Sequence, residues 1–166
     1  SAAIGVYTPK KTTYKWPGKV TSNESRGTIE YSIEHPTTYI AGNTDWLYIS
    51  SSGNNRWNHS KTIYDPCPPG WRVQDESVWM NAGLTYGSFD TSNKGITFTG
   101  GVDNNAWYPA SGYLEDYYPT VNNIGSYGYY WSCSNGDSNY NKGSMRIYNN
   151  GWGTTDYDCN EALSVR

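Results

Sequence analysis

No stretch of this chain holds enough consecutive apolar residues to cross a bilayer as a helix, so direct membrane insertion is not expected. Basic residues are few. Twelve Lys and Arg against 15 Asp and Glu leave a formal net charge of −3, and no basic stripe could follow a phosphate backbone. Nucleic acid therefore drops out of the expected partners. Cysteine is scarce and odd in number: Cys67, Cys133 and Cys159 form no CxxC pair, and only His35 and His59 could join them, so the spacing shows no metal pattern. An oxidising compartment would allow a Cys133–Cys159 disulfide and leave Cys67 over. Aliphatic residues are thin as well, with 36% of the chain hydrophobic and 16% charged. The core must lean instead on 8 Trp and 17 Tyr, each burying far more area than Val or Ala.

Signatures of catalysis are missing too. His35 and His59 lie in polar, loop-like segments without a Ser or Cys elbow, and Cys67 is clasped by prolines, a structural setting. Glu115-Asp116 and the pair Asp156/Asp158 are neighbouring acids in Gly/Asn-rich stretches, where carboxylates are usually solvated. No enzyme is expected, and no cofactor.

What remains describes one domain. Its 166 residues suffice for a real core, and 18 Gly with 8 Pro argue for many turns and against long helices. Residues 1–59 read as strands and loops, the alternation of Ile29, Tyr31 and Ile33 predicting a strand over 28–33. Residues 64–71 (YDPCPPGW) form a rigid turn, because three prolines within four residues remove donors and fix φ. Asp75 is a good N-cap for a short helix through about Asn81, with Val78 and Trp79 inward and Gly83 as the stop. Strands are predicted at 96–99, 128–132 and 144–148, with a closing strand over 162–166. The sum is α+β: short strands, one or two short helices and long loops. The start at Ser1-Ala2-Ala3, without a signal peptide, reads as a mature piece of a longer chain.

The last third is written in the vocabulary of a binding surface. Ten of the 17 tyrosines lie between Asp103 and Arg166, among Asn, Ser, Gly, Asp and Thr. Tyr supplies rigid contact area and a hydroxyl while Ser, Gly and Asn supply adaptable hydrogen bonds, the mixture antibody paratopes use. Trp152, flanked by Gly151 and Gly153, is the expected exposed aromatic anchor, and a core plug is its alternative. This wording, with few Lys and Glu, suggests an extracellular or cell-surface setting.

Four blocks in order carry a resemblance: Asp65-Pro66-Cys67-Pro68-Pro69-Gly70-Trp71-Arg72-Val73 followed by the helix with Trp79, then Trp107-Tyr108-Pro109-Ala110-Ser111-Gly112-Tyr113, then Gly128-Tyr129-Tyr130-Trp131-Ser132, then Ser164-Val165-Arg166. Over residues 60–166 the chain resembles the Fibrobacter succinogenes major paralogous domain family of Bacteroidetes-type surface proteins. It departs from that family at Gln74, where a proline is expected, and at Cys133, where Ser or Thr is usual. The resemblance implies a single C-type-lectin-like domain, shared with formylglycine-generating-enzyme-like domains and with the variable proteins of diversity-generating retroelements. It also places Trp71, Trp79 and Trp131 in constant blocks, hence in the core, and leaves Trp107 open between core and surface.

In such variable proteins the end of the chain carries the ligand surface, diversified by randomising adenines. Asn135, Asp137, Asn139, Tyr140, Asn141, Tyr148, Asn149, Asn150, Thr154, Thr155, Asp156, Tyr157, Asp158 and Asn160 are all reachable from AAY codons. Lys142, Met145, Trp152 and Glu161 are not, and would be framework. The expected function is non-catalytic recognition of a protein or glycan on a cell, phage or host surface, as in an adhesin or pilus-tip module, through the loops of 134–160 with help from 103–118. A lectin reading would stack sugar rings on Trp107, Tyr117 or Trp152. A formylglycine-generating-type enzyme would need reactive cysteines close together. Calcium, which many lectins of this fold bind, could draw on Asp137 or on Asp156-Tyr157-Asp158, yet the EPN or QPD plus WND triplets of sugar-binding C-type lectins are missing.

Overall fold

The computed structural model describes residues 18–48, 56–81, 85–99, 105–115, 120–138 and 140–165. Asn139, Tyr117, Asp116, Gly83 and Arg166 lie outside them. The chain begins with a small crossover unit: strand β1 (Gly18–Thr21), helix α1 (Ile29–Glu34) and strand β2 (Thr38–Ala41), the two strands parallel. Parallel neighbours need a crossover, and α1 supplies it.

The strand expected over 28–33 is therefore a helix. Thr28 caps it, its Oγ1 accepting the Tyr31 N–H at 3.1 Å, and the Tyr31 and His35 rings stack with centroids 4.0 Å apart. Alternation over six residues cannot outvote a good cap next to a required crossover. No residue of α1 is buried, and Ile33 is 71% exposed.

Helix α2 (Glu76–Asn81) forms where the sequence placed it. The Asp75 Oδ1 accepts the Ser77 N–H at 2.8 Å, and the Asp75 carbonyl accepts the Val78 N–H. Trp79 faces inward as expected, whereas Val78 is 44% exposed. Strands β3 (Thr85–Tyr86), β4 (Gly95–Thr99) and β5 (Asn105–Pro109) make one antiparallel sheet, and β6 (Tyr113–Leu114) pairs with β7 (Val121–Asn122). The longest sheet is β8 (Tyr127–Asn135), β9 (Asn141–Tyr148) and β10 (Gly151–Asp158), with β9 in the centre. The expected closing strand is reduced to two isolated bridges: Ala162 pairs with Leu114, and Ser164 pairs with Tyr130. The architecture is a mixed α+β arrangement of small sheets with two short helices, and no helix among the described residues is long and apolar enough to cross a membrane.

The main core is aromatic, as the composition required. Trp79, Ile96, Phe98, Tyr108, Tyr130, Met145 and Ile147 form one buried cluster. Phe98 and Tyr130 both meet Tyr108 edge-on, with centroids 5.0 Å apart in each case, and the Trp79 Nε1–H donates to the Tyr108 hydroxyl at 3.2 Å. T-shaped pairs stabilise beyond their buried area. The Tyr130 hydroxyl reaches the Pro109 carbonyl, and Gly128 lets the sheets close, since a Cβ there would sit 2.5 Å from that same oxygen. A second cluster joins Val73, Trp131 and Cys133, with Trp57 packed against it.

Trp71 corrects the sequence reading: it is 73% exposed. What anchors its turn is Asp65, whose side chain is fully buried. Asp65 Oδ1 accepts the Cys67 N–H at 2.9 Å and the Lys61 ammonium at 3.3 Å, while Oδ2 accepts the Val73 N–H at 3.0 Å. Burial alone would push its carboxyl up, but these donors hold it below 3.8. The block inserts Val73 into the core and leaves the indole outside. The three thiols are free, so the disulfide expected between Cys133 and Cys159 does not form; Cys133 is buried against Val73 and Trp131.

Removing Asp65 orphans buried donors, so Asp65→Ala should cost about 3 kcal/mol in denaturant unfolding, whereas Trp71→Ala should fall within about 0.5 kcal/mol of the parent. The Asp65 contribution is present above its unfolded pKa and is lost as pH falls through the lowered folded value. Equal losses in the two variants, or a larger one at Trp71, would overturn this assignment.

Candidate recognition cleft

Residues 134–160 are mostly strand rather than loop. In the β9–β10 hairpin Trp152 faces Ile147, Thr154 faces Met145, Asp156 faces Gly143 and Asp158 faces Asn141. Because side chains alternate along a strand, the candidate residues are dealt to opposite faces.

One face of the hairpin closes the aromatic core, and Trp152 belongs to it. Its ring meets Phe98 at 5.8 Å and 70°, and Tyr86 at 6.4 Å and 80°. It is a half-buried plug, not an exposed anchor. Tyr157 is also framework, with its ring centroid 5.3 Å from that of Tyr129 and 5.8 Å from that of Tyr113; burial among these rings pushes its phenol well above 10. Asn160 is 2% exposed, its Nδ2 donates to the Gly42 carbonyl at 3.0 Å, and its own carbonyl accepts the Tyr39 hydroxyl. Burial removes it from any ligand surface. Tyr148 is half-buried between Tyr127 and the Arg146 guanidinium, and Trp107 lies half-buried on β5 over Gly95.

The remaining residues stay accessible. Tyr140 is 50% exposed, and Asn149 and Asn150 are exposed at the β9–β10 turn. Asn141 accepts the Ser138 hydroxyl at 2.9 Å, and Asp158 is half-buried.

Five of the expected residues converge. Asn135, Asp137, Thr154, Thr155 and Asp156 line one polar cleft of about 500 Å³, and Glu76 of α2 completes it. The Asp137 N–H donates to Asp156 Oδ2 at 2.7 Å, tying the β8 end to β10. Asn135 is held from below by Lys142, whose Nζ donates to Asn135 Oδ1 and to the Trp57 carbonyl, both at 2.8 Å. Lys142 is only 1% exposed and burial lowers its pKa, so it is framework.

Glu76 was read only as part of a helix. No local signal marks it, because it arrives from α2, which packs on β8 and β9. Gly143 makes room: a Cβ there would lie 2.3 Å from Glu76 Oε1. Burial first, then the charges of Asp156 and Asp75, push the Glu76 carboxyl above 4.5, and a bond from the Ser144 N–H pulls it partly back. The lining holds three carboxylates, no Lys or Arg and no aromatic ring. Chemically it is a hydrogen-bonding surface of negative sign, with no nucleophile among its side chains beyond the Thr hydroxyls. A comparison with known proteins finds no family model, no curated protein and no solved structure that matches the chain.

A raised folded pKa means the protonated form of Glu76 is favoured by folding. That contribution is full below pH 4.5 and is lost as pH rises through the folded value, leaving the ionised carboxylate a liability at neutral pH. Glu76→Gln should therefore melt above the parent at pH 7, with the gain shrinking towards pH 4. A variant melting lower at pH 7 would contradict this electrostatic account.

Proposed function

We propose that this chain is a non-catalytic recognition domain of C-type-lectin-like fold, displayed at a cell or appendage surface as an adhesin or pilus-tip type module. The observation that carries the reading is the convergence of Asn135, Asp137, Thr154, Thr155 and Asp156 on one polar cleft beside Glu76. The AAY-type residues at these positions fit a surface varied by a diversity-generating retroelement on a fixed frame of Lys142, Met145 and Trp152. The sign of the cleft favours a protein ligand that inserts a Lys or Arg side chain between Asp137, Asp156 and Glu76, with Asn and Thr hydrogen bonds around it. A sugar ring has no aromatic platform there.

A second reading, glycan binding, rests on a different observation. Trp71 is 73% exposed beside Arg72 and Gln74 in an open groove of about 910 Å³. Sugar stacking would belong on that indole rather than on Trp107 or Trp152.

Selection from a random peptide display library, run beside a glycan array, separates the two. The cleft reading expects peptides rich in Lys or Arg whose affinity falls about 30-fold or more in Asp137→Ala/Thr154→Ala, equivalent to ~2 kcal/mol. The melting temperature should move little, because both side chains are exposed. Peptides indifferent to the double variant would sink the cleft reading. Glycan hits abolished by Trp71→Ala would establish the other.

A further inference from the structure

Next to Glu76 but outside the cleft lining, three side chains meet at the 56–75 segment. His59 comes from that segment, Asp75 from the start of α2, and Cys133 from β8. One ligand atom from each lies within 4.8 Å of the other two. The His59 Nδ1 is 3.4 Å from Asp75 Oδ2, and the Cys133 Sγ is 3.9 Å from the same oxygen. A tetrahedral zinc ion with ordinary bond lengths needs edges of about 3.3 Å between nitrogen and oxygen and about 3.5 Å between sulfur and oxygen. The nitrogen–oxygen edge is already of zinc size, and the sulfur–oxygen edge needs a contraction of less than about half an ångström.

The local backbone is arranged around these atoms. The register of β8 against β9 shifts between Trp131 and Asn135, and the Cys133 N–H donates at 2.8 Å to the Gln74 carbonyl instead of continuing the ladder. Such irregularities re-aim side chains, and this one ties Cys133 to the residue before Asp75. Each inner ligand is also oriented from behind. Asp75 accepts the Ser77 N–H at 2.8 Å on Oδ1 and the Ser134 hydroxyl at 3.0 Å on Oδ2, while the Arg72 Nη1 donates to the Cys133 Sγ at 3.4 Å. Outer-shell bonds of this kind hold metal ligands in place.

We propose that His59, Asp75 and Cys133 bind a zinc ion, with a water in the fourth position. One nitrogen, one sulfur and one carboxylate oxygen suit a borderline-soft cation and not calcium, which takes oxygens throughout. Binding exchanges the Cys133 S–H bond for S–Zn, and the proton leaves to solvent. Cys133 is buried, so the ion enters past His59, whose side chain is 73% exposed. Bound zinc would clip the 56–75 segment to α2 and β8.

Cobalt(II), titrated into the metal-stripped full chain, serves as a coloured stand-in. The expected result is one equivalent bound with a thiolate-to-cobalt charge-transfer band and the intense visible bands of a tetrahedral site, both bleached by zinc. Cys133→Ser should abolish the charge-transfer band, and Cys67→Ser should leave it. His59→Gln, at an exposed position where folding is not at stake, should weaken zinc at least ~10-fold, while His35→Gln should not. No charge-transfer band, a band that survives Cys133→Ser, or unchanged zinc affinity in His59→Gln would overturn the site and leave an ordinary hydrogen-bond cluster on Asp75.

Discussion

Strand β9 is covered on both sides, and the rest of the molecule is arranged to cover it. Met145 and Ile147 are fully buried on the face that meets Trp79, Phe98 and Tyr108. Lys142 and Ser144, which alternation turns to the other face, are buried as well. A central strand buried on both faces tolerates little change of register, because a slip of one residue would exchange Met145 and Ile147 for Ser144 and Arg146. That constraint makes the hairpin rigid where its neighbours β8 and β10 carry the cleft.

With few aliphatics available, the interior admits polar groups and gives several of them specific partners. Asp65 gathers Cys67, Val73 and Lys61. Arg56 meets Asp45 at 2.7 Å with both side chains about nine-tenths buried, and Lys142 reaches the Trp57 carbonyl and Asn135. Breaking such a contact costs more than forming it contributes, so these groups specify one arrangement rather than merely adding stability. The Lys142–Asn135 bond links this buried network to the cleft, setting one wall of the proposed ligand surface from inside.

Much of the frame was legible in the sequence. Helix α2 followed from Asp75 as a cap, and β4, β8 and β9 followed from their apolar residues. Trp79 and Trp131 were read as core and are core. Among the readings that failed, two show the physical reason most plainly. The alternation at 28–33 looked like a strand, but a Thr28 cap and a parallel crossover decide for helix. Trp71 looked like core from its place in a block shared with the resembled family, yet the direction of its turn is set by what Asp65 binds, and a local motif cannot show that. The candidate surface was legible as a list and not as a place. Neighbours on a strand part to opposite faces, which is why Tyr157 packs among tyrosine rings while Asp156 lines the cleft. Trp152 shares the face of Asp156 but sits at the other end of β10, against the aromatic core. Glu76, His59 and Asp75 join their sites from other segments, beyond the reach of any local spacing rule.

The central claim is that the cleft side chains are decoupled from the frame that holds them. Native-state amide hydrogen exchange on the parent and on the Asp137→Ala/Thr154→Ala variant tests it. The account predicts that the amides of Met145 and Ile147 exchange only through global unfolding, with the same protection in both proteins, while Ser138 and Asn150 exchange quickly in both. Loss of β9 protection in the variant would contradict it, because the cleft residues would then be part of the framework.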